Sequence, residues 1–162
     1  MVLTERLAMS NIEKRLKELG YTLPTVPIPV GAYRPGMQVG KLIYVSGQTS
    51  WIDGKQAYRG KVGREISEEE AVESARIVAL NLLAELKAVA GDLDKIEHIV
   101  KVNGYVNAVP EFERHPYVIN GCSNLLLEVF GEKGAHARAA IGVASLPDNA
   151  PVEIELIASV KN

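Results

Sequence analysis

Residues 67–91 constrain the fold more than any other stretch of this chain. Ser67-Glu68-Glu69-Glu70 has the form of a capping box, with three carboxylates at the positive end of the helix it opens. Val72, Ala75, Ala79, Leu82, Leu83, Leu86 and Val89 then recur at helical spacing, and Gly91 stops the run. An apolar stripe of that length must lie against something, and the flanking segments supply it. Before it, residues 40–50 (GKLIYVSGQTS) carry Leu42, Ile43, Tyr44 and Val45 between Gly40 and Gly47, a buried-strand pattern. After it, residues 95–108 (KIEHIVKVNGYVNA) alternate as a strand, with a bulge expected near Gly104. A long helix between two strands predicts helices packed on a sheet.

The remaining elements extend this picture. Ser10-Asn11-Ile12-Glu13 caps a short helix over residues 11–19, with Gly20 at its stop. Its few apolar positions predict a helix packed on the body as an appendage. Pro24, Pro27 and Pro29 hold an extended linker. Residues 1–28 therefore read as N-terminal helix and linker, and residues 29–162 as the main domain. Gly31 to Tyr33 is expected to pair with the 40–50 strand. Asp53-Gly54 is a turn signal, and residues 55–64 read as a loop or frayed strand. Pro110 opens a helical region that ends at Phe130 and Gly131. Two last strands, HARAAIGVASLP (136–147) and PVEIELIASV (151–160), are joined through Leu146-Pro147-Asp148-Asn149. The order strand, strand, helix, strand, helix, strand, strand predicts an α+β fold with two helices on one face of a mixed sheet.

Composition narrows the function classes. At 162 residues the chain fits one domain, and 18 basic against 20 acidic residues leave a net charge of −2, with no basic stripe for nucleic acid. Charges interrupt every apolar run, so no membrane span is expected. Cys122 is the single cysteine. It has no intramolecular disulfide partner and no activating neighbour, which fits a reducing, cytoplasmic setting and a buried small hydrophobe. His98, His115 and His136 lack metal-ligand spacing, so no metal is expected. His98 is expected in the core or an interface, and His115 at the surface.

Arg138 is the residue hardest to place on structural grounds. It stands among Ala137, Ala139, Ala140 and Ile141, and a cation in an apolar strand needs an anion. That anion is either a carboxylate of the protein, Glu153 or Glu155, or the carboxylate of a ligand, which the guanidinium fork grips with two hydrogen bonds.

Tyr33 within GAY, Ser46-Gly47-Gln48, the helix after Ser67, and the pair HARAAIGVASLP and VEIELIASV resemble the Rid family of reactive enamine/imine deaminases, also called YjgF-like or L-PSP endoribonuclease-like proteins. The resemblance runs from about Pro29 to the end and points to a longer branch of the family. It implies a chorismate-mutase-like, mixed six-stranded sheet and a homotrimer with ligand clefts between subunits. It implies hydrolysis of small 2-imino acids to 2-keto acids and ammonia, without metal or organic cofactor. Arg138 is then the carboxylate anchor and Glu155 the water-positioning carboxylate. Tyr33, Ser46, Gly47, Ser123 and Ala139 line the cleft, and Glu153 is left as a surface charge. The alternatives are a trimer that binds small carboxylates without turning them over and, below that, an endoribonuclease, which the charge balance disfavours. Two departures concern the site: Ala140 stands where the family usually has cysteine, and His136 where it has proline. Strict alternation raises one conflict. A simple hairpin of the last two strands would put Arg138 opposite Ala158 and turn Glu155 to the other face, unless a bulge near Gly142 or a site shared between subunits intervenes.

Overall fold

The computed structural model describes residues 10–26 and 31–162. Its elements are α1 (Asn11–Glu18), β1 (Gly36–Val39), β2 (Leu42–Gln48), β3 (Trp51–Ile52), β4 (Lys55–Gln56), α2 (Glu68–Ala90), β5 (Ile96–Asn107), α3 (His115–Phe130), β6 (Ala137–Val143) and β7 (Val152–Val160). One five-stranded sheet has the order β1-β2-β7-β5-β6, while β3 and β4 form a separate hairpin. The six strands implied by resemblance are therefore five, because the Asp53-Gly54 turn closes β3 and β4 on each other instead of adding a strand to the sheet. β5 and β6 run parallel through the α3 crossover and every other pairing is antiparallel, so the sheet is mixed as expected.

Period-two alternation decides what each face of the sheet does. On the central strand β7, Val152, Ile154, Leu156 and Ala158 are buried beneath α2, while α3 covers β5 and β6. Glu153, Glu155 and Ile157 point to the other, helix-free face. The helices contribute Ala75, Val78, Ala79, Leu82, Leu83 and Leu86 from α2, and Val118, Ile119, Leu125 and Leu126 from α3. Cys122 is fully buried among them, and that burial pushes its thiol up to about 12. The capping box at Ser67 is formed in both directions and Gly91 ends α2, as the sequence predicts. α1 docks through Leu16, 1% exposed, while the Asp94 carboxylate accepts from the N–H groups of Asn11 and Ile12 at 2.9 and 3.0 Å.

Several local expectations are corrected. The strand pairing with β2 is Gly36–Val39 rather than Gly31 to Tyr33, which forms a bend. β5 shifts register between Ile96 and His98 and between Ile99 and Lys101, not at Gly104. These shifts turn His98 out to solvent. Gly104 is explained by packing, since a Cβ there would lie 2.5 Å from the Ile119 side chain. Helix α3 starts at His115, not Pro110, and His115 is half-buried with its ring against Gly142. The last two strands do not form a hairpin, because β5 lies between them. Pro27, Pro29 and the expected boundary at residues 28–29 lie outside the described residues.

One core position runs against the apolar stripe. Glu85 on α2 is 1% exposed, and burial raises its carboxyl to about 8. Its Oε1 accepts from Gln48 Nε2 at 2.8 Å, and its Oε2 has no partner among the described residues.

Two stability predictions follow from these contacts. At Gly121, α3 crosses α2 so closely that a Cβ would sit 2.2 Å from the Val72 carbonyl oxygen. Gly121→Ala should cost about 3 kcal/mol in chemical denaturation, and an unchanged midpoint would refute the close crossing. Between the unfolded carboxyl pKa and about 8, native Glu85 keeps a proton that the unfolded chain has released. Its contribution is thus fully present at acid pH and is lost as pH rises through that window, a decline of up to about 5 kcal/mol. Glu85→Gln should flatten this slope in denaturation curves taken from pH 5 to 9.

Candidate active site

Arg138 lies on the edge strand β6, level with Val102 of β5, and so points to the helix side of the sheet. α3 meets it there with neutral groups. Nη1 donates to Asn120 Oδ1 at 2.7 Å and to Ser123 Oγ at 3.2 Å. Among the described residues no carboxylate forms an ion pair with it, and its remaining N–H groups make no hydrogen bond. The salt bridge to Glu153 or Glu155 considered from sequence is not formed. A half-buried guanidinium held by an amide and a hydroxyl keeps its charge unneutralised, which suits capture of an anion.

His136 supports this arrangement. Its Nδ1 lies 2.6 Å from the Gly134 carbonyl oxygen, which only accepts, so Nδ1 carries the proton. Nε2 then accepts from the Ser123 hydroxyl at 2.9 Å, leaving the Ser123 lone pairs toward Arg138. Burial, with the Arg138 charge adding to it, lowers the imidazole pKa and favours the neutral ring. Ser123 thus stands beside Arg138 as expected. Ala139, next along β6, faces the opposite side of the sheet with Asn103.

Tyr33, Gly47 and Glu153 form a second group. Ser46 and Gly47 fall where the β2–β7 register shifts between Val45 and Gln48. The missing side chain of Gly47 leaves room for Glu153, whose Cδ would lie 3.3 Å from a Cβ built there. Glu153 and Tyr33 line the same cleft of about 1250 Å³, with Trp51, Asp148 and Glu85. Ser46 is turned away, since its hydroxyl donates to the Arg34 carbonyl at 2.5 Å. Burial first, and then Glu155, raise the Glu153 carboxyl above its usual range. Glu155 is engaged on its own side. Its Oε1 accepts from Tyr105 Oη at 2.7 Å and Asn103 Nδ2 at 3.3 Å, and this bond holds the Tyr105 phenol up at about 12.

The expected residues therefore fall into two half-sites in one chain. Arg138, Asn120 and Ser123 sit at the β6–α3 edge on the helix face. Gly47, on β2, sits three strand spacings away, roughly 14 Å, and Glu153, on β7, two spacings away and on the other face. Arg138 and Glu155 likewise lie on opposite faces, so the conflict raised by alternation stands within a single chain. From sequence Glu153 is left as a surface charge because the family resemblance puts the water-positioning role on Glu155, and the two share one strand face. Only the position of the Gly47 bulge distinguishes them. The cleft is also acidic: Asp53, Glu73, Glu85, Asp148 and Glu153 line it against one cation, Arg76, whose Nε donates to Glu73 at 2.8 Å. Among the described residues no group of three His, Cys, Asp or Glu side chains is placed to hold a metal, and no helix is long and apolar enough to cross a membrane.

Comparison with known proteins gives a consistent family. The family model described as "YjgF/chorismate mutase-like, putative endoribonuclease" matches residues 13–160. Protein TCP17 of Trypanosoma cruzi is 37% identical over 96% of this chain and 98% of its own length. A 2-iminobutanoate/2-iminopropanoate deaminase of Dermatophagoides farinae is 31% identical over 85% of this chain and 93% of its own. The crystal structure of Atu1372 from Agrobacterium tumefaciens, a protein of unknown function, superposes with a TM-score of 0.86 at 50% identity, covering 93% of this chain and 92% of that one. With its mixed sheet, its two helices on one face and a family model spanning nearly its whole length, the chain belongs to the YjgF-like (Rid) family.

Proposed function

We propose that the protein is an enamine/imine deaminase that hydrolyses small 2-imino acids to 2-keto acids and ammonia. It acts as a homotrimer whose clefts join the Arg138 half-site of one subunit to the Glu153 half-site of its neighbour. The observation that carries this reading is Arg138 itself, a half-buried guanidinium held by Asn120 and Ser123 with no carboxylate partner among the described residues. The acidic cleft around Glu153 supports it from the other side. A carboxylate ligand entering that cleft needs a free cation that the described residues do not place there. The helix-free face of the sheet adds a reason to associate. Tyr44 and Ile141 are 46% and 50% exposed on it, and Met37, at 48%, pairs with Tyr44. The mite relative, a deaminase by name, agrees in reaction class.

In this reading the substrate carboxylate meets the Arg138 fork, which fixes the C=N carbon over the Gly47 bulge. Without a side chain at Gly47, the substrate comes close to backbone and to Glu153. The carboxylate of Glu153 takes a proton from water as the water oxygen adds to the carbon of the protonated imine, giving a neutral carbinolamine. The raised pKa of Glu153 makes it a better proton acceptor. The same carboxyl then gives that proton to the amino nitrogen, and the hydroxyl proton leaves to solvent as the C–N bond breaks. Protonated imine and water thus become ketone, ammonia and a released proton, with no net change in the protein. Glu155, expected from sequence to place the water, acts one step removed. Its charge helps to raise Glu153, and its hydrogen bonds fix Tyr105 and Asn103.

The reading is tested by generating 2-iminobutanoate in a coupled reaction and following keto acid and ammonia. Arg138→Ala and Glu153→Gln should each slow the reaction by about 100-fold or more, and Glu155→Gln by less than about tenfold. Co-expressing Arg138→Ala with Glu153→Gln should restore about a quarter of wild-type activity, because random assembly makes one interface in four intact. Undiminished turnover in Arg138→Ala would refute the anchor. A mixture as inactive as its parents would refute the shared cleft.

A further inference from the structure

At the deep end of the cleft two buried side-chain oxygens have no hydrogen-bond partner among the described residues. Glu85 Oε2, on a side chain 1% exposed, has no partner among the described residues. Gln56, from the β3–β4 hairpin, lines the same cleft, and its Oε1 is also buried and unpartnered while its Nε2 donates to Thr49 Oγ1 at 2.6 Å. Neighbouring donors are engaged elsewhere. Asn81 Nδ2 donates to the carbonyls of Thr49 and Trp51, both at 3.1 Å, and Gln48 Nε2 is given to Glu85 Oε1. Arg76 pairs with Glu73 and lies 5.2 Å from the Tyr21 ring. Buried polar oxygens without a partner are costly and rare, whether a carboxyl holding its proton or an amide carbonyl, and each is open to a partner from outside the chain. The lining selects its charge, since Asp53 and Glu153 have no cation paired with them among the described residues, while Glu73 is held by Arg76 and Asp148 by Arg59. Trp51, Ile77 and Leu80 on the same walls supply contact for an aliphatic stem.

We propose that the deep end of this cleft is a binding site for the primary ammonium group of an alkylamine-bearing ligand, with Glu85 Oε2 and Gln56 Oε1 as its acceptors. An ammonium brings three donors on a compact head and satisfies both oxygens at once. Its charge also stabilises the Glu85 carboxylate, so a carboxyl held protonated up to about 8 gives up its proton on binding. The site does not depend on the carboxylate anchor or on the deaminase reading.

The test uses pentylammonium and pentan-1-ol as probes, because neither carries a carboxylate. Calorimetry on the full chain at pH 7, in two buffers of different ionisation enthalpy, should show pentylammonium binding at least about tenfold more tightly than pentanol, with release of a proton. Glu85→Gln should lower pentylammonium affinity at least about tenfold and abolish the proton release. Gln56→Leu, on the partly exposed hairpin, should lower it several-fold and serves as the judge if the core variant does not fold. Equal affinity for the two probes, or a preference that survives both substitutions, overturns the proposal.

Discussion

Everything else in this molecule is arranged around the alternation of side chains along β7. It is the central strand of the five, with β2 on one side and β5 on the other. Its even-numbered residues from Val152 to Ala158 anchor α2 and close the core. Its odd-numbered residues have no such cover, so Glu153 and Glu155 face away from the helices. A one-residue slip would bury two carboxylates under α2 and expose the core. The position of the reactive-looking carboxylates is thus a consequence of how the core is built.

Arg138 is separated from those carboxylates by the same geometry. It lies on β6, level with Val102, a position that alternation assigns to the helix side. A guanidinium and two glutamates in nearby sequence would ordinarily neutralise one another. Here a sheet lies between them, and Arg138 is held instead by Asn120 and Ser123, with His136 orienting the Ser123 hydroxyl. The described residues therefore present a cation without its anion at one edge and an acidic cleft without a free cation at the other. In the proposed trimer each of these surfaces meets the opposite surface of a second copy, a head-to-tail relation of the kind that closes into a ring.

Much of this was legible in the sequence. The Ser67 capping box, the Gly91 stop and the apolar stripe of α2 act locally, and they are where the pattern places them. Arg138 stood out because its neighbours are small and apolar, and Ser123 does reach it. Other features depend on pairings that no local pattern encodes. The insertion of β5 between β6 and β7 removed the expected hairpin. Two register shifts in β5 turned His98 outward, and a third in β2 chose Glu153 over Glu155 as the carboxylate beside Gly47. Glu85 was hidden because a glutamate one turn from the end of a helix ordinarily reads as solvated. Its burial appears only when β2 brings Gln48 against it.

The most direct measurement of the central claim is a crystal structure of the protein soaked with 2-oxobutanoate. The account predicts the ligand carboxylate on both terminal nitrogens of Arg138 from one subunit, and its keto carbon beside Glu153 of the adjoining subunit. A ligand bound far from Arg138, or an Arg138 paired with a carboxylate of the protein in the assembled oligomer, would contradict it.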